Sequence, residues 1–162
     1  MHQPVSYIQQ TKNLYDSLGY EAYRWFRADT PTAFVKPPLP LSRSKLGLVS
    51  TAGTYLAGQI AYHYKDDTSI RAIPSDSEVA DIRFSHVTEN YLIEARQDPR
   101  CVFPIEALRS LRDMGAIGHL ADNFFSCMGG IYSQRRVTEK LIPELAARIE
   151  QEDIDVLLLV PL

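Results

Sequence analysis

Ile154-Asp-Val-Leu-Leu-Leu-Val-Pro-Leu162 is the stretch on which the fold turns. A strand with one wet face alternates apolar and polar residues. A nearly unbroken apolar run reads instead as a central parallel strand covered on both faces. Just upstream, Val137 to Glu150 reads as a helix, with Leu141, Leu145 and Ile149 at i, i+4 and i+8. Pro143 inside it removes a backbone donor and predicts a kink or a later start. Further back, His119 to Ser126 reads as a strand running into a Gly129-Gly130 turn. Pro104 to Gly115 reads as another helix, with Pro104 in its first turn, Ile105, Leu108 and Leu111 on one stripe, and Gly115 just past its end. Lys45 to Thr51 reads as a buried strand stopping in a tight Ala52-Gly53-Thr54 loop. Ser69 to Pro74 and Ala80 to His86 are two further strands, the latter with Ile82 and Phe84 on one face. Alternation of strand and helix predicts an α/β class. The sheet is mainly parallel and flanked by helices, in a Rossmann-like or flavodoxin-like arrangement.

The first part of the chain differs in texture. Val5, Ile8, Leu14, Leu18 and Tyr23 make an imperfect helical stripe, which Gly19 divides into two short helices. Pro31, Pro37, Pro38 and Pro40 make Ala28 to Pro40 an extended connection. The expected organisation is a helical and Pro-rich segment over 1–44 and an α/β domain over 45–162. With 45% hydrophobic and 23% charged residues in 162, the composition is globular. Its 17 Lys and Arg are scattered among 20 Asp and Glu, which argues against a nucleic-acid partner. No apolar run reaches the roughly 18 residues of a membrane span, and Met1 to Gln10 has no apolar signal core, so a cytoplasmic setting is expected.

A central parallel strand should be followed by a turn and a covering helix. Here the text ends on the strand, at the sheet edge where ligands bind in open α/β folds. The expected fold is therefore incomplete at its C-terminus. The alternative is an edge strand closing a small domain, which Pro161 favours mildly.

Ser50-Thr51-Ala52-Gly53-Thr54 follows a strand, so its hydroxyls and N–H groups could hold an anion. The alternative is an ordinary βα turn. Ser85-His86 ends another strand, where His86 is either a general acid or base or a structural residue. His63 and His119 have weaker contexts, and His2 is terminal. No cluster has metal-ligand spacing, so no metal is expected. Cys101 and Cys127 are each either a nucleophile or a small buried hydrophobe. Phe125, Met128 and Tyr132 read as packing.

A set of motifs then resembles the selenoprotein B family of glycine, sarcosine, betaine and D-proline reductases, and most closely its D-proline-reductase-like branch. The matching pieces are Gly47-Leu-Val-Ser-Thr-Ala-Gly53, Ser69-Ile-Arg-Ala-Ile-Pro74, Ile82-Arg-Phe-Ser-His86, Val102-Phe-Pro-Ile-Glu-Ala-Leu108, Gly115-Ala-Ile-Gly118, Ser126-Cys-Met-Gly129 and Asp155-Val-Leu-Leu-Leu-Val-Pro161. They occur in the same order and at similar spacing from about Lys45 to Leu162.

The resemblance implies an oxidoreductase that cleaves a C–N bond of a small amino acid or amine. A selenocysteine, or cysteine in its place, is expected directly after the last strand, so the chain as written lacks the nucleophile and is inactive alone. Selenocysteine is encoded by UGA, which also reads as a stop. The resemblance further implies a pyruvoyl-type carbonyl on a partner reductase subunit, and a dithiol or thioredoxin-like reductant. It makes Ser50 and Thr51 anion-binding donors and His86 a proton donor or selenolate-stabilising partner. Ser85, Ser126 and Gly129 line the same edge. The family's basic or His residue near Ser126 appears here as Asn123 or Phe124.

Two other readings stay open. One is a non-catalytic α/β domain binding a small molecule or a partner. The other is a racemase-like cysteine enzyme using Cys127 or Cys101. For the reductase reading, the apolar run at Ile154 to Leu162 predicts poor solubility or obligate association.

Overall fold

The computed structural model describes residues 4–22, 26–33 and 35–162. His2 and Tyr23 lie outside them. The chain divides into two compact units, one up to residue 34 and one over Val35–Leu162.

In the first unit, helix α1 spans Tyr7–Ser17, and Gly19 ends it in the left-handed region at φ 77°. The second helix expected beyond Gly19 does not form among the described residues: Tyr20, Glu21, Ala22 and Phe26 are irregular. The remainder of that expected helix, residues 23–25, lies outside the described residues.

The larger unit is built on β1 (Lys45–Ser50). Next come β2 (Thr54–Leu56), β3 (Arg71–Pro74) and β4 (Ile82–Phe84). A short helix α2 (Ile93–Gln97) precedes α3 (Ile105–Asp113). Strands β5 (His119–Leu120) and β6 (Asn123–Ser126) follow. A helical stretch then runs through α4 (Gln134–Arg136), a wide π turn (Val137–Leu141) and α5 (Ile142–Gln151), and leads to β7 (Val156–Val160).

Strand β1 is the hub of the sheet. β7 runs parallel to it along Leu46–Ser50. On the other side β5 and β6 share its length, both parallel. β3 adds antiparallel beyond β6. The sheet is thus mostly parallel with helices on both faces, as the periodicity predicts. Strands β2 and β4 form a separate antiparallel pair.

The expected single strand over His119 to Ser126 is broken. Leu46 pairs with Leu120, but Val49 pairs with Phe125. Two extra residues therefore bulge from the partner. The Glu152 carboxylate holds the bulge, accepting the Asp122 N–H at 3.0 Å and Asn123 Nδ2 at 2.7 Å.

β7 is also not central. Among the described residues it pairs with β1 alone, at the sheet margin. Its apolar run has another cause. One face carries Val156, Leu158 and Val160 against the cluster of Leu46, Leu48, Phe103, Ile105 and Phe124. The other turns Leu157 to the cluster of Val49, Phe125, Cys127 and Leu141, while Leu159 further along that face is 63% exposed, so the expected coverage of both faces stops short there. A run apolar on both faces reports coverage above and below, not lateral position.

The α3 stripe is narrower than predicted: Ile105 and Leu108 are buried, while Leu111 is 37% exposed. Gly115 sits at φ 75° just past the helix, as its position predicts. Pro143 does disturb its helix. It has no N–H to donate, and the chain passes through the π turn immediately before it. Leu141, Leu145 and Ile149 still reach one cluster, so the amphipathic face survives.

Candidate functional site

The chain leaves β1 through Ser50. The Cys127 N–H donates to the Ser50 carbonyl at 3.0 Å, and the Thr51 N–H donates to the Val160 carbonyl at 3.1 Å. The Gly53 N–H donates to the Cys127 carbonyl, and the Ser85 N–H to the Gly53 carbonyl, both at 3.0 Å. Gly53 has φ 65°, and an added Cβ would lie 2.1 Å from the Ser85 carbonyl oxygen. Glycine is what allows the backbone past this point. Gly129 is equally confined: its Cβ would lie 2.7 Å from the Leu162 oxygen and 3.0 Å from that of Thr51. Hydrogen bonds and close approaches thus bring Ser50, Thr51, Ser85, His86, Ser126 and Gly129 to the carboxyl end of β1 and β6.

They are not equivalent there. Ser50 and Ser126 are fully buried. The Ser50 hydroxyl accepts the Ala52 N–H at 3.3 Å, and that of Ser126 accepts the Thr54 N–H at 2.8 Å. Both serines hold backbone. Thr51 Oγ1 accepts the Leu162 N–H at 2.9 Å. Ser85 donates to the Tyr62 carbonyl at 2.9 Å. Tyr62 in turn donates to the Ser126 carbonyl at 2.6 Å, under the Arg71 guanidinium at 4.3 Å from its ring centre. Burial raises the Tyr62 phenol well above its ordinary value, so it stays a neutral donor.

His86 is 5% exposed. Its Nδ1 lies 3.1 Å from the Thr88 nitrogen, whose N–H donates to it, and 2.7 Å from Thr88 Oγ1. Nε2 is buried and has no partner among the described residues. Burial lowers the His86 pKa below its ordinary value of 6.5, against an opposing pull from Glu89. The ring therefore stays neutral in the fold when an unfolded histidine would take a proton. Between about pH 7 and 5 the unfolded state gains a proton that the native state resists, so stability falls with pH. Thermal melts across this range should show a steeper loss for the natural chain than for His86→Gln. Parallel curves would show that burial of the imidazole is not linked to folding.

His63 and His119 are exposed, and neither reaches the site. Asn123 points to Glu152 at the far end of β6, and Phe124 is a core residue, so neither supplies a basic group here. Tyr132, expected to pack, is 70% exposed. Among the described residues no group of three or more His, Cys, Asp or Glu could hold a metal ion. None of the described helices is long and apolar enough to cross a membrane.

Cys127 lies in the second core cluster, and burial pushes its thiol up to about 11. At neutral pH roughly one molecule in ten thousand carries the thiolate, a poor basis for nucleophilic catalysis. Cys101 is exposed, yet desolvation and Asp98 raise its thiol too. A chromogenic disulfide reagent at pH 7 should react with one thiol per chain in the native state and a second only in denaturant. Rapid native labelling of Cys127 would restore the cysteine-enzyme reading.

Sequence reasoning missed Thr88 and Tyr62. Only Thr88 gave a usable signal, a hydroxyl residue two places after a histidine, which suits a local side-chain bond. Thr54 Oγ1 is the other buried polar atom without a partner among the described residues.

No family model matches the chain, and no solved structure matches it. It is similar to the protein described as D-proline reductase subunit gamma from Acetoanaerobium sticklandii, with 32% identity over 114 residues. The match covers 70% of this chain and 47% of that protein, so the chain spans about half the length of the relative.

Proposed function

The chain is a relative of D-proline reductase subunit gamma, in a D-proline/glycine reductase-like family, and from that premise we propose that it forms part of an amino-acid reductase subunit. The reaction is reductive cleavage of a C–N bond in a substrate of the D-proline, glycine, sarcosine or betaine type. The identity to the gamma subunit carries this reading. The gathering of Ser50, Thr51, Ser85, His86, Ser126 and Gly129 at one sheet end supports it.

In this reading the chain's own residues shape the pocket floor. Ser50 and Ser126 fix the loops, Thr51 and Gly129 flank the end of β7, and His86 faces the reacting groups. A selenocysteine or cysteine encoded beyond β7 supplies the nucleophile. A carbonyl on a partner subunit holds the substrate amine. A dithiol or thioredoxin-like protein supplies two electrons and is oxidised to the disulfide as the C–N bond breaks.

One experiment tests the reading. The complete product, assembled with its partner subunits, should consume D-proline, glycine, sarcosine or betaine at the expense of a dithiol. An assembled complex that turns over none of them overturns the activity. That result would favour the second reading, a non-catalytic partner-binding domain, which the lateral edge of β7, unpaired among the described residues, supports.

A further inference from the structure

The geometry around His86 decides between two roles that its position leaves open, donating a proton and donating a hydrogen bond. We propose that Thr88 locks His86 as the neutral Nε2–H tautomer, so that the ring offers a hydrogen bond to an anionic acceptor at the sheet end and does not act as an acid. Thr88 is then a positioning residue. The tautomer follows from the chain's own contacts. The anionic nature of the acceptor rests on the reductase reading above.

A neutral imidazole carries one proton, on either nitrogen. The Thr88 N–H points at Nδ1 from 3.1 Å. A backbone N–H is fixed by the chain and cannot turn to accept. A proton on Nδ1 would set this donor against donor. The Thr88 hydroxyl, 2.7 Å from the same atom, can accept from Nδ1–H or donate to a bare Nδ1, and the fixed N–H selects the second arrangement. Thr88 stands at the start of the turn Glu89–Leu92, where a threonine hydroxyl ordinarily caps backbone N–H groups, yet here it makes no capping bond. It is spent on the histidine instead.

With Nδ1 occupied, the proton sits on Nε2, and this atom is buried without a partner among the described residues. Buried donors in native proteins are nearly always satisfied, so an unmatched one beside the glycine turn is a place for an acceptor that arrives from elsewhere. The ring passes close to that turn: an added Cβ on Gly130 would lie 3.5 Å from His86 Cε1. An imidazolium would need both nitrogens as donors, and the Thr88 N–H opposes that at Nδ1. Glu89, the nearby acid, favours the charged ring, but it is paired with Arg96, and burial outweighs its pull. A neutral Nε2–H is far too weak an acid to protonate a leaving amine near neutral pH, but it is a sound donor to a carboxylate, thiolate or selenolate.

Long-range proton–nitrogen correlation spectra of the chain test the lock without any turnover. At pH 7 we expect a pyrrole-type Nε2 and a pyridine-type Nδ1 for His86. In Thr88→Val, Nδ1 should move toward the value of a free pyridine-type nitrogen, and Thr88→Ser should restore it. An Nδ1–H tautomer or an imidazolium in the natural chain overturns the proposal, as does a Thr88→Val spectrum identical to the natural one. The natural-chain spectrum decides even where the valine variant fails to fold.

The donor role is read in the assembled reductase. His86→Phe should lower kcat by about 100- to 1000-fold, the usual effect of losing one aimed donor. His86→Gln, which can donate but cannot act as an acid, should recover at least tenfold of that loss. Equal loss in the two variants overturns the donor role. A complex with no activity at all refutes the reductase reading and leaves the tautomer result standing.

Discussion

Gly53→Ala is expected to lose about 3 to 5 kcal/mol, enough to unfold most of a marginally stable domain. Two costs add. The φ of 65° is in the left-handed region, where a Cβ is strained. That Cβ would also lie 2.1 Å from the Ser85 carbonyl oxygen. The obstructing atom is backbone, and the Ser85 N–H and the Gly53 carbonyl tie the two segments together at 3.0 Å. No rotamer change relieves it. Gly47→Ala is the control. Its Cβ would meet Ile154 Cδ1 at 2.5 Å, the far end of a flexible side chain, so about 1 to 2 kcal/mol is expected. Urea midpoints for the two variants test the distinction. Equal losses would mean that the loop moves freely away from Ser85, and the site would lose its fixed geometry.

The second large effect is at Phe124. It is fully buried and meets Phe103 edge-on, with ring centres 6.1 Å apart and planes at 72°. Phe124→Ala removes the ring from between β6 and the layer of α3, and should cost about 3 to 5 kcal/mol. Phe124→Leu keeps most of the volume and should cost under about 2 kcal/mol. Phe124 lies two residues before Ser126, so the alanine variant should also broaden or shift the His86 ring signals. A small change in urea midpoint would show that this layer repacks around the gap.

The sequence was most legible where one local rule acted alone. Lys45 to Ser50 forms its strand, and the 104–115 helix keeps both its proline start and its glycine end. The site loops were legible for the same reason: hydroxyl and glycine residues after strands mark turns. What escaped depended on distant partners. Thr54–Leu56 has too few residues to carry a pattern, and only Ile82–Phe84 across from it makes it a strand. Nothing within Arg71–Pro74 indicates that it runs against β6. The lateral position of β7 was misread because its apolarity comes from layers above and below. Finally, the role of Thr88 needs a nitrogen position that no residue spacing reveals.

The Asp122 bulge leaves a signature on heredity. Side chains along a strand alternate, so a gain of two residues returns every later side chain to its own side. Leu120 and Phe124 accordingly share one core cluster, while Phe125 serves the other. Length variation here is constrained by parity: a change of two residues at this point leaves the later side chains on their own faces. A single-codon deletion would turn Phe124 and Phe125 to the opposite faces and strip each core cluster of its ring.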